Sequence, residues 1–272
     1  ERVNPGDSKH SIDKITKIVS ASNKNSEKIV KKLYQSITKK VFLTKSIKIA
    51  ESAKVIENIQ RDLNIAFVNE VNLIFKKMKI NTKQVLKAAS TKWNFIKFNP
   101  GLVGGHCIGV DPYYLTYRAK KSSYNPKVIL AGRILNNYVS EFVLNEINKL
   151  SYKFFKRKKI KLLILGITFK EDIADTRNSQ VIKIIKKLKH NLFDIYVYDP
   201  NVDKNFKFEN KRIKMLRQLK YRNFFDGVFI GTPHKKIIKM GGKKIKSLCK
   251  DRSFIYDLKS SIESKYIDAS LY

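Results

Sequence analysis

The longest uninterrupted pattern in the chain runs from about Lys48 to Met78, "KIAESAKVIENIQRDLNIAFVNEVNLIFKKM", and contains neither Gly nor Pro. Apolar residues recur at Ile49, Ala53, Ile56, Leu63, Ala66, Phe67, Val71 and Ile74, the spacing of a helix. At 1.5 Å per residue such a helix is roughly 45 Å long, enough to link two domains or to form a seam between two copies. Any fold for this chain must be arranged around that rod.

The flanking segments read as a mixed architecture. Residues 11–39 break into a short apolar piece and a helix, with Asn25 or Ser26 as its N-cap, and "KVFLT" is β-prone. After the long helix come a short one, "NTKQVLKAAS", capped by Asn81 or Thr82, and then a glycine-rich loop. A second long helix follows from about Pro126 to Lys153, with Pro126 suited to its first turn. Near "KFFKRKKIK" the texture changes. "IKLLILGITF", "DIYVYDPNV", "DGVFIGTPH" and "SFIYDLKSS" read as four strands, with helices such as "SQVIKIIKKLKH" between them. That alternation predicts an α/β chain: long central helices plus a C-terminal Rossmann-like, doubly wound parallel sheet.

Composition bounds the function classes. At 272 residues with 43% hydrophobic content, two domains with real cores are expected. The net charge of +34 first suggests nucleic acid. However, the excess is mostly Lys spread along the whole chain ("NKNSEKIVKK", "KRKKIK", "KIIKKLK"), not Arg and aromatics gathered on one face. No nucleic-acid partner is therefore expected. The two cysteines, Cys107 and Cys249, with four histidines, are too few for a disulfide framework or a four-ligand zinc site, so a reduced, cytoplasmic protein without a metal fits. No stretch approaches the roughly 18 to 20 apolar residues of a membrane span, and no membrane partner is expected. The chain begins with Glu, and "ERVNPGD" reads as the middle of a loop, so a fragment is expected, with a processed chain as the alternative.

Three clusters could carry chemistry. In "NPGLVGGHCIGVDPYYLTYRA", Gly101, Gly104, Gly105 and Gly109 surround Cys107 and leave main-chain N–H groups open to a ligand. His106 and Asp111 are placed to activate the thiol or position a water. A structural turn explains the loop equally well. Lys54 and Asn58, one helical turn apart, could together donate to an oxygen that gains negative charge; a solvated helix stripe is the other reading. Finally, "FKEDIADTRNS" follows a strand end, where open α/β sheets place ligands. Lys170, Arg177 and a helix start near Thr176–Ser179 suit a phosphate or carboxylate, unless the loop's charges simply pair among themselves. No G-x-G-x-x-G lies between a strand and a helix, so no dinucleotide fingerprint is present.

"ERVNPGD", "AKVIENIQRDLNIAFVNE", "NPGLVGGHCIGVDPYYLTYRA", "VILAGR" and "GITFKEDIADTRNS", in this order, closely resemble the nucleotide-sugar dehydrogenase family. "GGHCIGVDPYYLT" is most similar to the branch acting on UDP-N-acetylglucosamine or UDP-N-acetylgalactosamine in surface-polysaccharide synthesis; UDP-glucose and UDP-N-acetylmannosamine 6-dehydrogenases are the alternatives. The resemblance implies NAD-dependent oxidation of the sugar C6 to a carboxylate in two steps. It makes Cys107 the nucleophile, Lys54 and Asn58 the oxyanion donors, Asp111 a supporting acid, and Glu1 an aid to thioester hydrolysis. It assigns substrate contacts to Phe98, Gly101, Gly104, Gly105, Arg133 and Lys170, and a cofactor contact to Arg177. The family more often has Arg and Asp where this chain has Ile134 and Asn137, near Arg133. A homodimer through the central helix is implied as well.

The family's N-terminal NAD-binding Rossmann domain is largely missing from the resemblance. Residues 1–46 correspond to its remnant, 47–155 to the central helical domain with the cysteine loop, and 156–272 to the UDP-sugar-binding domain. If these residues are the whole molecule, it is expected not to bind NAD+ productively and to be inactive alone. A non-catalytic UDP-sugar-binding remnant is the corresponding rival.

Overall fold

The computed structural model describes residues 10–156, 158–203 and 205–272. It opens with a small unit in which β1 (Lys17–Val19) and β2 (Val41–Leu43) pair in parallel across α1 (Lys24–Gln35). The α1 cap is Asn23, whose side chain accepts from the Ser26 N–H. The cap therefore lies two or three residues before the expected one, because Asn23 has the extended backbone that a cap requires. No residue of α1 is buried.

The predicted rod is α2 (Ile47–Met78), followed by α3 (Thr82–Ala89), capped by Asn81 as expected. The cysteine loop leads into α4 (Asp111–Lys121), a helix not foreseen from the sequence, with Asp111 and Pro112 in its first turn. Next comes α5 (Lys127–Phe155), where Pro126 is the N-cap instead of lying within the first turn. Of the periodic apolar residues only Ala66 is buried. Ile49, Ile56, Phe67, Ile74 and Met78 form an exposed apolar stripe, whereas Asn58, Asp62, Ala66, Asn69 and Asn72 lie on the buried face. At about 100° per residue these two sets fall on opposite sides of the helix. Polar side chains are tolerated inside because each finds partners there.

The C-terminal half is a six-stranded parallel sheet of order β5-β4-β3-β6-β7-β8. Its elements in chain order are β3 (Ile160–Leu165), α6 (Gln180–Lys187), β4 (Phe193–Tyr198), β5 (Ile213–Leu216), β6 (Phe225–Ile230), α7 (Lys235–Ile238), α8 (Gly241–Ser247), β7 (Cys249–Asp257) and β8 (Ala269–Ser270). Two edge strands, β5 and β8, extend the four expected; both are short, so they leave little periodic signal. β3 and β6 are buried almost throughout, with no polar alternation, because both sheet faces are covered. On one face α5 and α6 pack through Val143, Ile147, Ile184 and Ile185 against Leu162, Ile164 and Phe254. On the other, Ile237, Ile245 and Leu248 cover Leu163, Val228 and Ile255. The sheet reverses direction between β3 and β6, and loops from both strand ends meet there. This is the crevice where open α/β sheets bind ligands.

Among the described residues no helix is long and apolar enough to cross a membrane. Nor do any three His, Cys, Asp or Glu side chains among them gather to hold a metal ion.

Candidate active site

The cysteine loop is suspended between α2 and the sheet. On the α2 side, Asn69 grips Gly101: its Oδ1 accepts the Gly101 N–H at 2.8 Å and its Nδ2 donates to the Gly101 carbonyl at 3.0 Å. On the sheet side, Asn178 Nδ2 donates to the Gly105 carbonyl at 2.9 Å. Gly105 has φ +82°, and a Cβ there would lie 2.8 Å from the Phe169 ring. Only glycine satisfies both the turn and the contact.

Beyond this anchor the chain folds into a turn that presents Cys107. Its carbonyl accepts the N–H groups of Val110 at 3.0 Å and Asp111 at 2.8 Å, which starts α4. The thiol is half-buried, and His106 Nδ1 lies 3.1 Å from Sγ. Asp111 stands at the N-terminus of α4, where the helix dipole favours an anion. Its Oδ2 accepts from Nδ2 of the fully buried Asn58 at 2.6 Å. Asn58 is thus spoken for by Asp111 and stands beneath the thiol loop.

A cavity of about 540 Å³ opens over this turn. Lys54, Gly104, Gly105, Cys107 and Lys170 line it together, along with Glu57, Arg61 and Phe169. His10 and Ile15, from the segment before β1, close one side. Lys54 Nζ is held by Glu57 Oε2 at 2.9 Å. Burial pushes the Glu57 carboxyl up, but Lys54 and Arg61 outweigh it and leave it below the usual carboxylate range. A cleft of about 30 Å³ at the ends of β3, β6 and β7 also includes Gly104 and Lys170, together with Thr232 and Lys259. Lys259 there pairs with Glu171; burial raises the Glu171 carboxyl, and Lys259 more than reverses that.

Among the described residues, six of the expected ones do not line this cavity: Asn58 and Asp111, bonded beneath it, and Arg133, Arg177, Gly101 and Phe98. Arg133 is buried on α5, with Nη1 2.6 Å from Asp62 Oδ1 and Nη2 donating to Asn137 Oδ1 at 2.9 Å. It borders a separate cavity of about 420 Å³. Arg177 is exposed and forks onto Asp175, with contacts of 2.7 to 3.1 Å; its hydrogen bonds hold the Asp175 carboxyl down. Gly101 is buried under Asn69, and Phe98 is half-buried without lining either the 540 Å³ cavity or the 30 Å³ cleft. Glu1 lies outside the described residues.

The sequence did not single out the polar relay inside α2 and α5. Asn136 Nδ2 donates to Asp62 Oδ1 at 2.8 Å, and Asn136 Oδ1 accepts from Asn69 at 2.9 Å, which leads to Gly101. The available signal was Asn58, Asp62, Asn69 and Asn72 recurring on one helical face.

Residues 48–138 match the UDP-glucose/GDP-mannose dehydrogenase family, central domain, and residues 163–264 match that family's UDP binding domain. The chain belongs to this family. It is 42% identical over 276 residues to the UDP-N-acetyl-D-glucosamine 6-dehydrogenase of Salmonella typhi, a match that covers 100% of this chain and 64% of the relative. Protein CapL of Staphylococcus aureus is 43% identical over 274 residues, covering 99% of this chain and 64% of CapL. The chain therefore spans just under two thirds of the length of these relatives. Among solved structures, the UDP-D-ManNAc dehydrogenase of Pyrococcus horikoshii superposes with a TM-score of 0.83 at 24% identity, covering 100% of this chain and 63% of that one. At that identity the likeness speaks to the fold.

A dinucleotide needs a cradle for its pyrophosphate, normally a glycine fingerprint at a helix N-terminus. The cavity's glycines, Gly104 and Gly105, are instead packed against Asn178 and Phe169. The described residues do not form such a cradle, and the chemistry below is confined to this chain's own groups.

Proposed function

We propose that this chain is the thiol-bearing, UDP-sugar-binding part of a UDP-N-acetylhexosamine 6-dehydrogenase acting on the N-acetylglucosamine or N-acetylgalactosamine sugar. The observation that carries the reading is the meeting of Cys107, Lys54 and Lys170 around one cavity, with Asn58 and Asp111 bonded beneath it. In this reading NAD+ is the oxidant of both steps and the protein works in the cytoplasm.

The residues suit the steps in between. Sγ of Cys107 adds to the C6 aldehyde carbon, forming the C–S bond, and the carbonyl π electrons move onto oxygen. The thiol gives up its proton and the oxygen takes one up in its place, which gives a thiohemiacetal with no net change in protons. Covalent capture keeps the aldehyde from escaping before its second oxidation. The ammonium of Lys54 stands on the cavity wall to stabilise the oxyanion formed on the way. Asn58 serves through Asp111, which it fixes at the start of α4. Lys170, at the border between the cavity and the cleft at the strand ends, meets the phosphates or sugar of the substrate.

Two copies are proposed to pair through α2, whose exposed stripe of Ile49, Ile56, Phe67 and Ile74 supports that reading.

The test is calorimetric titration with UDP-N-acetylglucosamine, UDP-N-acetylgalactosamine, UDP-N-acetylmannosamine and UDP-glucose. Saturable binding that favours the first two supports the reading, and preference for either of the others reassigns the sugar. If no UDP-sugar binds, and salt-sensitive binding to RNA or DNA appears without competition by UDP, the proposal fails.

A further inference from the structure

Beneath the loop that carries Lys170 lies a buried polar knot that the chemistry above does not use. His234, the N-cap of α7 after β6, is fully buried, and Asp199, just after β4, is its partner. His234 Nε2 lies 3.0 Å from Asp199 Oδ2, and the same oxygen accepts the N–H groups of Ile167 at 2.6 Å and Thr168 at 3.2 Å. On the other edge of the ring, Nδ1 accepts the N–H of Asp172 at 2.9 Å.

These bonds fix the tautomer. A main-chain N–H can only donate, so Nδ1 carries a lone pair and Nε2 carries the proton that goes to Asp199. Two further bonds close the knot. Thr168 Oγ1, itself 3.1 Å from Nε2, donates to the Lys170 carbonyl at 2.9 Å, and Thr232 Oγ1 donates to the Thr168 carbonyl at 2.7 Å. Asp172 sits at φ +58°, in the left-handed region that Asp occupies more readily than most non-glycine residues. Lys170 and Glu171 are therefore carried on a short bridge, tied at Thr168 on one side and at Asp172 on the other. Both ties converge on the imidazole.

We propose that His234 is a positioning residue: its buried ring latches the 168–172 bridge so that Lys170 is delivered to the cavity over Cys107. This rests on the reading of that cavity as the UDP-sugar site, which gives Lys170 a ligand. His234 touches no substrate; it acts through the loop.

Two substitutions divide the ring's functions. His234→Asn keeps an acceptor near the place of Nδ1, and His234→Gln keeps a donor toward Asp199 while losing that acceptor. His234→Gln is expected to weaken UDP-N-acetylglucosamine binding about tenfold, the cost of one lost charge-assisted contact, while His234→Asn stays within about threefold of the native chain. Hydrogen exchange at the Asp172 amide should accelerate in His234→Gln and keep its protection in His234→Asn. Adding His234→Gln to Lys170→Met should give no loss beyond that of Lys170→Met, because the histidine works through the lysine. In the native chain, long-range ¹H–¹⁵N spectra should show His234 protonated at Nε2. The opposite tautomer, losses that add, or equal exchange in the two variants would overturn the latch. A native chain that binds no UDP-sugar would sink the reading of the cavity, and the exchange and tautomer data would still decide the latch.

Discussion

Removing the carboxylate of Asp62 should cost more than removing the guanidinium it faces. Both groups lie inside the α2–α5 contact: the Asp62 side chain is fully buried and Arg133 is 4% exposed, with a 2.6 Å contact between them. In Asp62→Ala the guanidinium is stranded. It keeps the bond to Asn137 and the Tyr113 ring 5.6 Å away, its Nε already lacks a partner, and it cannot shed its proton. Breaking a buried pair in this way costs about 3–5 kcal/mol. In urea, with m near 3 kcal/mol/M, that is a fall in midpoint of roughly 1 to 1.7 M. Arg133→Met leaves a carboxyl with a way out. Burial already raises Asp62, with Arg133 pulling only partly against it, so without the arginine the group takes up a proton. A carboxyl whose folded pKa is raised contributes stability at low pH, and that contribution is lost as pH rises above the unfolded value. Arg133→Met should therefore be less damaged than Asp62→Ala, and should recover further when the urea titration, followed by circular dichroism, is moved from pH 7 to pH 5. Asp62→Leu combined with Arg133→Met should return close to the native midpoint, since an apolar pair often replaces a buried ion pair without loss. A cost below about 1 kcal/mol for Asp62→Ala, or an Arg133→Met that is the worse of the two at pH 5, would refute the reasoning.

The other expectations concern the thiols, acid stability and assembly. Iodoacetamide should label Cys107 in the native chain well before Cys249, whose thiol burial pushes up to about 11; UDP-N-acetylglucosamine should slow the first reaction, and peptide mapping reads both. Burial raises the Asp199 carboxyl, but His234 and the N–H groups of Ile167 and Asn201 bring it below the usual range. Its stabilising contribution is thus present above the unfolded value, near pH 4, and is lost as pH falls through the lower folded value. Asp199→Asn should remove that part of the acid-induced fall in thermal midpoint below about pH 4, and an unchanged slope there would contradict the assignment. Ile56→Lys with Phe67→Lys, on the exposed stripe of α2, should convert a dimer to a monomer by light scattering while leaving the fold intact by circular dichroism. A native chain that is already monomeric would remove the basis for pairing through that helix.

The parts of the architecture legible in the sequence were those written in local patterns. α2 and α5 announced themselves by length without Gly or Pro, and β3 by an apolar run too dense for a half-exposed strand. Short edge strands such as β8, two residues long, carry no period to detect. Which face of α2 is buried was not legible for a different reason. An apolar stripe is normally the inward one, yet here it faces outward while Asn58, Asp62, Asn69 and Asn72 are inside. Periodicity reports that a helix has two faces; which one is buried depends on what the rest of the chain offers as partners. Here it offers Asp111, Asn136 and the carbonyls of Gly101 and Leu271.

The site divides along the same line. Cys107, Lys54, Asn58 and Lys170 could be singled out because each sits in a compact motif. Arg133 also sits in one, but its partner Asp62 is 71 positions away and draws it into the core. His234 escaped notice in "GTPH" because its partners, Asp199 and the Asp172 amide, are 35 and 62 positions distant. A motif names residues that share a neighbourhood in sequence. The loop bearing Lys170 is fixed by residues that share only the carboxyl ends of adjacent parallel strands, and that sharing exists once β4, β3 and β6 are side by side. For the same reason His234→Gln, which leaves every motif around the cavity intact, should still be felt there through Lys170.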